Sequence, residues 1–187
     1  MKILLDNGHG KETPGKRSPI WLDGSQLFFF FFNRDIVKRI SRELRVLGVD
    51  TRVVVPEDTD IPLGERCKRV NRYGKDALLI SIHANAGGGT GWECYTTPGQ
   101  TKSDFFANIL CEQAKLDLSE WKMRFDYTDK DPDKEESFYI LKNTICPAIL
   151  TENFFMDNER DCRFIMSEIG RQRIATMHVQ AIVKMLI

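Results

Sequence analysis

The sequence predicts a single α/β domain over residues 1–187, built as three layers with a mostly parallel, twisted sheet flanked by helices. Two observations carry that prediction. Short apolar and β-branched runs alternate along the chain with longer segments whose apolar residues recur at helical spacing, the pattern of strand–helix–strand units. The alternation continues from end to end with no repeat and no linker-like stretch. The chain of 187 residues is 42% apolar, and a domain of that length buries roughly 70% of the surface its unfolded chain exposes.

The elements follow in order. Lys2 to Asp6 is a short apolar run ending in Asn-Gly-His-Gly, a strand feeding a loop. Phe28, Phe32, Ile36, Ile40, Leu44 and Leu47 form a helical stripe closed by Gly48. Asp50 to Val55 reads as a strand, Pro62 to Tyr73 as a short helix ended by Gly74, and Ala77 to His83 as a strand buried on both faces. Gly87 to Gly91 reads as a flexible rim, Trp92 to Thr97 as a strand and Lys102 to Trp121 as a helix. Asp126 to Glu136 reads as a solvated acidic loop. Asp129, Asp131 and Asp133 have a calcium-loop look, but Pro132 and the missing glycine argue against one. Phe138 to Leu141 and Ala148 to Glu152 are expected strands, and the chain from Asn158 onward is expected to be helical, with His178 at its surface or boundary.

Composition excludes several classes. Lys plus Arg and Asp plus Glu both number 27, for a net charge of +0, so the basic surplus of a general nucleic-acid or membrane-surface binder is missing. The longest wholly apolar stretch, Leu27 to Phe32, is far short of the roughly 18 residues of a membrane span. The start, Met-Lys-Ile-Leu-Leu-Asp, lacks the apolar core of a secretory signal. It predicts synthesis into the cytoplasm, with exit only by cell lysis or a dedicated export route. Cys67, Cys94, Cys111, Cys146 and Cys162 show no short pair spacing and read as reduced, buried thiols. Gly10 to Lys16 matches most of a phosphate-binding loop, but Arg17 stands where Ser or Thr should hold magnesium and no helix begins at once.

Ligands of open α/β sheets bind beyond the carboxyl ends of the strands. The first strand delivers His9 there, the central strand His83 and the late strand Glu152. Singly, each is also what a hydrogen-bonded loop histidine or an ion-paired glutamate looks like. Together, two imidazoles and a carboxylate suit a catalytic metal that activates water, with an acid nearby to move its proton.

The segments Leu4-Leu-Asp-Asn-Gly-His-Gly10, Asn33-Arg-Asp-Ile36, Leu63-Gly-Glu-Arg66 through Val70-Asn71, Leu79-Ile-Ser-Ile-His-Ala-Asn-Ala86, Gly91-Trp-Glu-Cys-Tyr95 and Pro147-Ala-Ile-Leu-Thr-Glu-Asn-Phe-Phe155 resemble the zinc-dependent N-acetylmuramoyl-L-alanine amidases of the amidase 3 family. The resemblance covers nearly the whole chain. It implies a peptidoglycan hydrolase that uses zinc to cleave the amide between N-acetylmuramic acid and L-alanine, in an autolysin or a lysin. On that resemblance His9 and His83 stand at zinc-ligand positions and Glu152 at the catalytic carboxylate. Peptidoglycan or a muropeptide is the implied partner, with no nucleic acid and no membrane span. Arg66 and Asn71 are expected to brace loops by hydrogen bonding.

One position departs from the family. Its remaining zinc ligand, a glutamate four residues before Asn33, is here Phe29, inside a run of five phenylalanines from Phe28 to Phe32. Phe29 shares a helix face with Asn33 and should point at the site, whereas Phe30 and Phe31 should project from the buried stripe. A substitute carboxylate could come from Asp23, Glu93 or a solvent anion. Without one, the alternative is an impaired amidase-like protein that binds cell-wall fragments without turnover.

Overall fold

The computed structural model of the protein describes residues 1–187. Six strands form one sheet: β1 (Lys2–Asn7), β2 (Thr51–Val53), β3 (Ala77–Asn85), β4 (Trp92–Thr96), β5 (Lys134–Glu135) and β6 (Ala148–Phe155). They lie side by side in the order β2-β1-β3-β6-β4-β5. Every neighbouring pair is parallel except β4 with β6. The helices are α1 (Phe29–Val46), α2 (Leu63–Asn71), α3 (Lys102–Asp117), α4 (Tyr139–Lys142), α5 (Glu159–Met166) and α6 (Glu168–Met185). No helix is long and apolar enough to cross a membrane.

Strand side chains alternate between the two faces, and the faces are covered unequally. Ile3 and Leu5 of β1 and Leu78, Ile80 and Ile82 of β3 enter the larger core with side chains of α1, α3, α5 and α6. Leu4, Leu79 and Leu150 enter a smaller core, covered only by α2 and α4. Asp6, Ser81, His83 and Glu152 have the parity of this thinly covered face. Because both helices over it are short, the carboxyl ends of β1, β3 and β6 are left open toward a cavity.

Helix ends explain several boundaries. Thr101 and Asp104 form a reciprocal capping box at the start of α3. Asn158 caps α5, and Ser167 ends α5 and caps α6 by accepting from the Gly170 N–H. The helical tail expected from Asn158 onward is therefore two helices. All five cysteines are free and buried, as expected.

Four expectations are corrected. Phe138 to Leu141 is not a strand: its last residues belong to the single turn α4, and a four-residue apolar run carries no period that separates the two states. His178 is not at the surface but 0% exposed, turned toward Thr151 of β6 from the inner side of α6. The acidic loop is not simply solvated, since Asp131 and Asp133 are buried and Lys134–Glu135 pair with β4. In the phenylalanine run the burial is reversed at two positions. Phe28 is the extended N-cap and is exposed, whereas Phe30 is buried beneath the Arg34 guanidinium, 3.9 Å from its ring centre.

Candidate active site

The structure brings His9, His83 and Glu152 to one cavity of about 650 Å³, which also meets Asp6, Asp60 and Arg66. The lining is otherwise largely apolar, with Ile61, Leu63 and Leu150 and the rings of Phe138 and Tyr139. His83 and Glu152 are register partners on β3 and β6, so their side chains leave the same face of the sheet. His9 follows β1 in a left-handed conformation with φ 65°. The rings of His9 and His83 meet edge to face, with centroids 5.3 Å apart.

The loop that carries His9 is held from α1. Asn33 Nδ2 donates to the Gly8 carbonyl at 2.9 Å, and Arg34 donates to the His9 carbonyl at 2.9 Å. The glycines on either side are required by packing. A Cβ on Gly8 would overlap the His83 imidazole, and one on Gly10 would overlap the Asp60 backbone. Both histidines are held far below the usual imidazole range, at about 3. Burial is the main cause in each case; His83 then adds to it at His9, and Arg66 at His83. Both rings are therefore neutral, with lone pairs for a metal or a proton.

A chain of polar groups orients His83. Ser81 Oγ donates to Asp6 Oδ2 at 2.7 Å and lies 3.0 Å from His83 Nε2. Its one proton goes to the carboxylate, so Oγ accepts from Nε2–H and the Nδ1 lone pair is left free. Asp6 is fixed in turn by the buried Arg66, at 2.9 Å, and Arg66 also reaches Asp60 at 2.9 Å. Arg66 braces the loops as expected, donating to the Ile61 carbonyl as well, and Asn71 bridges to the Asn143 carbonyl and the Ile145 N–H.

Glu152 stands in a different environment. Its Oε2 is buried and accepts no hydrogen bond. Burial, and after it the charge of Glu93, push its carboxyl up to about 8. Glu93 faces Glu152 across β4 and β6, but its own carboxylate is taken by Lys134 at 2.7 Å, Tyr95 at 2.8 Å, Asn85 at 2.6 Å and Arg124. Asp23 is bound to Arg163 at 2.5 Å. Neither of these two candidate substitutes lines the cavity. Phe29 does face the site: its buried ring packs against His9, with centroids 5.6 Å apart.

Two other expectations resolve here. The rim at Gly87 to Gly91 is anchored at both ends, since the Gly87 and Gly88 N–H groups donate to Asp157 and the Gly91 N–H to Asp161. After the phosphate-loop-like segment, Arg17 bridges to Phe28 and the next helix starts only at Phe29, so the helix that motif requires does not follow it. Asp6, Ser81, Arg34 and Asp60 were not singled out from the sequence. Ser81 was within reach, because it stands two residues before His83 and hence on the same strand face.

The fold and the site thus define an α/β domain with a hydrolase-like cavity at the carboxyl ends of its central strands, and comparisons give the family. The profile of the N-acetylmuramoyl-L-alanine amidases matches residues 3–184. The chain is 30% identical over 185 residues to the N-acetylmuramoyl-L-alanine amidase CwlM of Bacillus licheniformis, covering 98% of this chain and 68% of the relative. It is 30% identical over 188 residues to the sporulation-specific N-acetylmuramoyl-L-alanine amidase of Bacillus subtilis strain 168, covering 97% and 67%. The crystal structure of an N-acetylmuramoyl-L-alanine amidase from Clostridium difficile 630 superposes with a TM-score of 0.86 at 24% identity, over 99% of this chain and 96% of that one. The chain belongs to the N-acetylmuramoyl-L-alanine amidase family.

Proposed function

We propose that the chain hydrolyses the amide bond between N-acetylmuramic acid and L-alanine in peptidoglycan, with zinc held by His9 and His83 and with Glu152 moving the proton. The observation that carries this reading is the meeting of two neutral imidazoles and one carboxyl with a buried, unpartnered Oε2 in a single cavity. The imidazole pair fits zinc in donor chemistry, and the Asp6–Ser81 relay behind His83 is the kind of support that orients a ligating ring. Bound there, zinc would polarise the scissile carbonyl and acidify a water.

The rest of the chemistry belongs to the chain. Burial and Glu93 push the Glu152 carboxyl up to about 8. As a carboxylate it is suited to take the proton of the attacking water, to hold it, and then to pass it to the departing amine nitrogen. Arg66, already neutralised by Asp6 and Asp60, serves as a fixed post for the loops. The apolar wall of Ile61, Phe138 and Leu150 suits the methyl groups of the lactyl and alanyl units flanking the amide.

Phe29 favours a second reading, binding without turnover, because it places a phenyl ring beside His9 where a third donor would complete the site. The deciding experiment digests purified peptidoglycan with zinc-supplemented protein and assays new L-alanine amino termini. The wild-type chain is expected to release them, and Glu152→Gln to lose about 10²–10⁴-fold in rate. Release at equal rates by Glu152→Gln would remove Glu152 from the mechanism. No release by the wild-type chain, with wall fragments still bound, would establish the second reading.

A further inference from the structure

Asp104, Asp131 and Asp133 gather near the β5 edge of the sheet, and none of them lines the cavity that holds His9, His83 and Glu152. They come from the first turn of α3 and from the loop entering β5. One oxygen from each lies within 4.8 Å of the others. Oxygen ligands of one calcium ion, each at about 2.3–2.6 Å from it, are at most about 5 Å apart. All three residues are buried, at 4%, 7% and 1% exposure.

The hydrogen-bond donors around them are too few. No lysine or arginine pairs with any of the three, and Lys134, next to Asp133, turns to Glu93 instead. Thr96 Oγ1 lies 3.0 Å from Asp104 and 2.7 Å from Asp133, but it has one proton for the two carboxylates. The Thr101 N–H serves Asp104, and the Gln100 amide lies 3.2 Å from Asp131. One oxygen of Asp131 and one of Asp133 are buried and accept no hydrogen bond at all. Buried carboxylates in this condition need a cation or a proton. Burial, with the charge of Asp131 adding to it, pushes Asp133 up to about 7.

We propose that Asp104, Asp131 and Asp133 bind one calcium ion, with the Thr96 hydroxyl and the Gln100 amide oxygen, presented by turning that amide over, as further ligands. The set is all oxygen, which selects hard cations over zinc. Its donors come from the end of β4, two loops and a helix start, and calcium accepts such a flexible oxygen set where magnesium demands a near-ideal octahedron. The ion would tie the segment before β5 to β4 and α3. That segment and β5 deliver Arg124 and Lys134 to Glu93, beside Glu152, and lead into Phe138 of the cavity wall. The ion is thus a structural cation that holds one side of the active site from outside it.

Protein stripped with EDTA and dialysed free of it is titrated with calcium chloride by calorimetry, and its thermal unfolding is followed in parallel. One calcium per chain is expected, with Tm raised by about 5–10 °C at a hundredfold excess over Kd. Asp131→Asn should bind calcium at least tenfold more weakly with an unchanged circular dichroism spectrum, and Thr96→Val, which leaves every carboxylate in place, should also weaken it. His83→Ala should bind calcium as the wild type does. Absence of both heat and Tm shift for the wild-type chain at millimolar calcium would overturn the proposal. So would calcium binding unaffected by Asp131→Asn, or binding lost in His83→Ala.

Discussion

Ser81 illustrates how much of the site rests on one proton. Its hydroxyl, shared between Asp6 and His83, selects the His83 tautomer with a free Nδ1. Ser81→Ala removes that selection without touching a ring, and zinc retention should fall about 10–100-fold, as read by competition with a chelating dye. Phe29 is the opposite case, a side chain that offers the site nothing. Phe29→Glu puts a carboxylate beside His9, so zinc affinity should rise sharply; equal affinity in the two forms would show that position 29 does not limit the metal. Gly8 is constrained in a third way, since any side chain there would enter the space of the His83 ring.

At the scale of elements, α6 and β6 are joined through a buried histidine. His178 Nδ1–H donates to the Ile174 carbonyl at 2.8 Å, which leaves Nε2 to accept from Thr151 Oγ1 at 3.1 Å. Burial pushes the ring down to about 4, so it stays neutral in the fold while the unfolded chain protonates it below about 6.5. The unfolded state therefore binds more protons between those values, and the stability from this group is lost as pH falls through the window. The loss amounts to about 3 kcal/mol. His178→Met should flatten the fall in urea midpoint between pH 7 and pH 4.5 relative to the wild-type chain. Parallel curves for the two proteins would show that the acid sensitivity lies elsewhere.

For the whole molecule, the unequal covering of the sheet sets both the position of the site and the pattern of stability. The larger core joins four helices to one face, whereas the smaller core lies under α2 and the single turn α4. Amide exchange should therefore be fastest through local opening at α4 and the neighbouring cavity wall, and slowest, at the global limit, in β1, β3 and α6. Mass spectrometry of deuterium uptake would test this. Protection in α4 equal to that in β3 would mean that the thin layer does not open separately.

The local signals in the chain determined much of this protein. The apolar runs at Lys2, Ala77 and Ala148 are strands and the stripe through Ile36 and Ile40 is a helix, because hydrophobic period is a local property. His9, His83 and Glu152 were legible because each closes or follows such a run, and parallel strands of one sheet bring those ends together. Phe29 was singled out by the family resemblance, which implies a glutamate there, and helical spacing from Asn33 gave the direction of its side chain. Tertiary structure alone decided the rest. Phe138 to Leu141 was too short to have a period, and only packing of α4 on α2 and β6 made it a helix. Glu93, which also reads as one face of a strand, and Asp23 both remained candidate carboxylates until their cationic partners, 31 or more residues away in the chain, were in place. Asp104 joined Asp131 and Asp133 only through β5 pairing with β4. Burial and charge pairing depend on neighbours distant in sequence, and no local pattern encodes them.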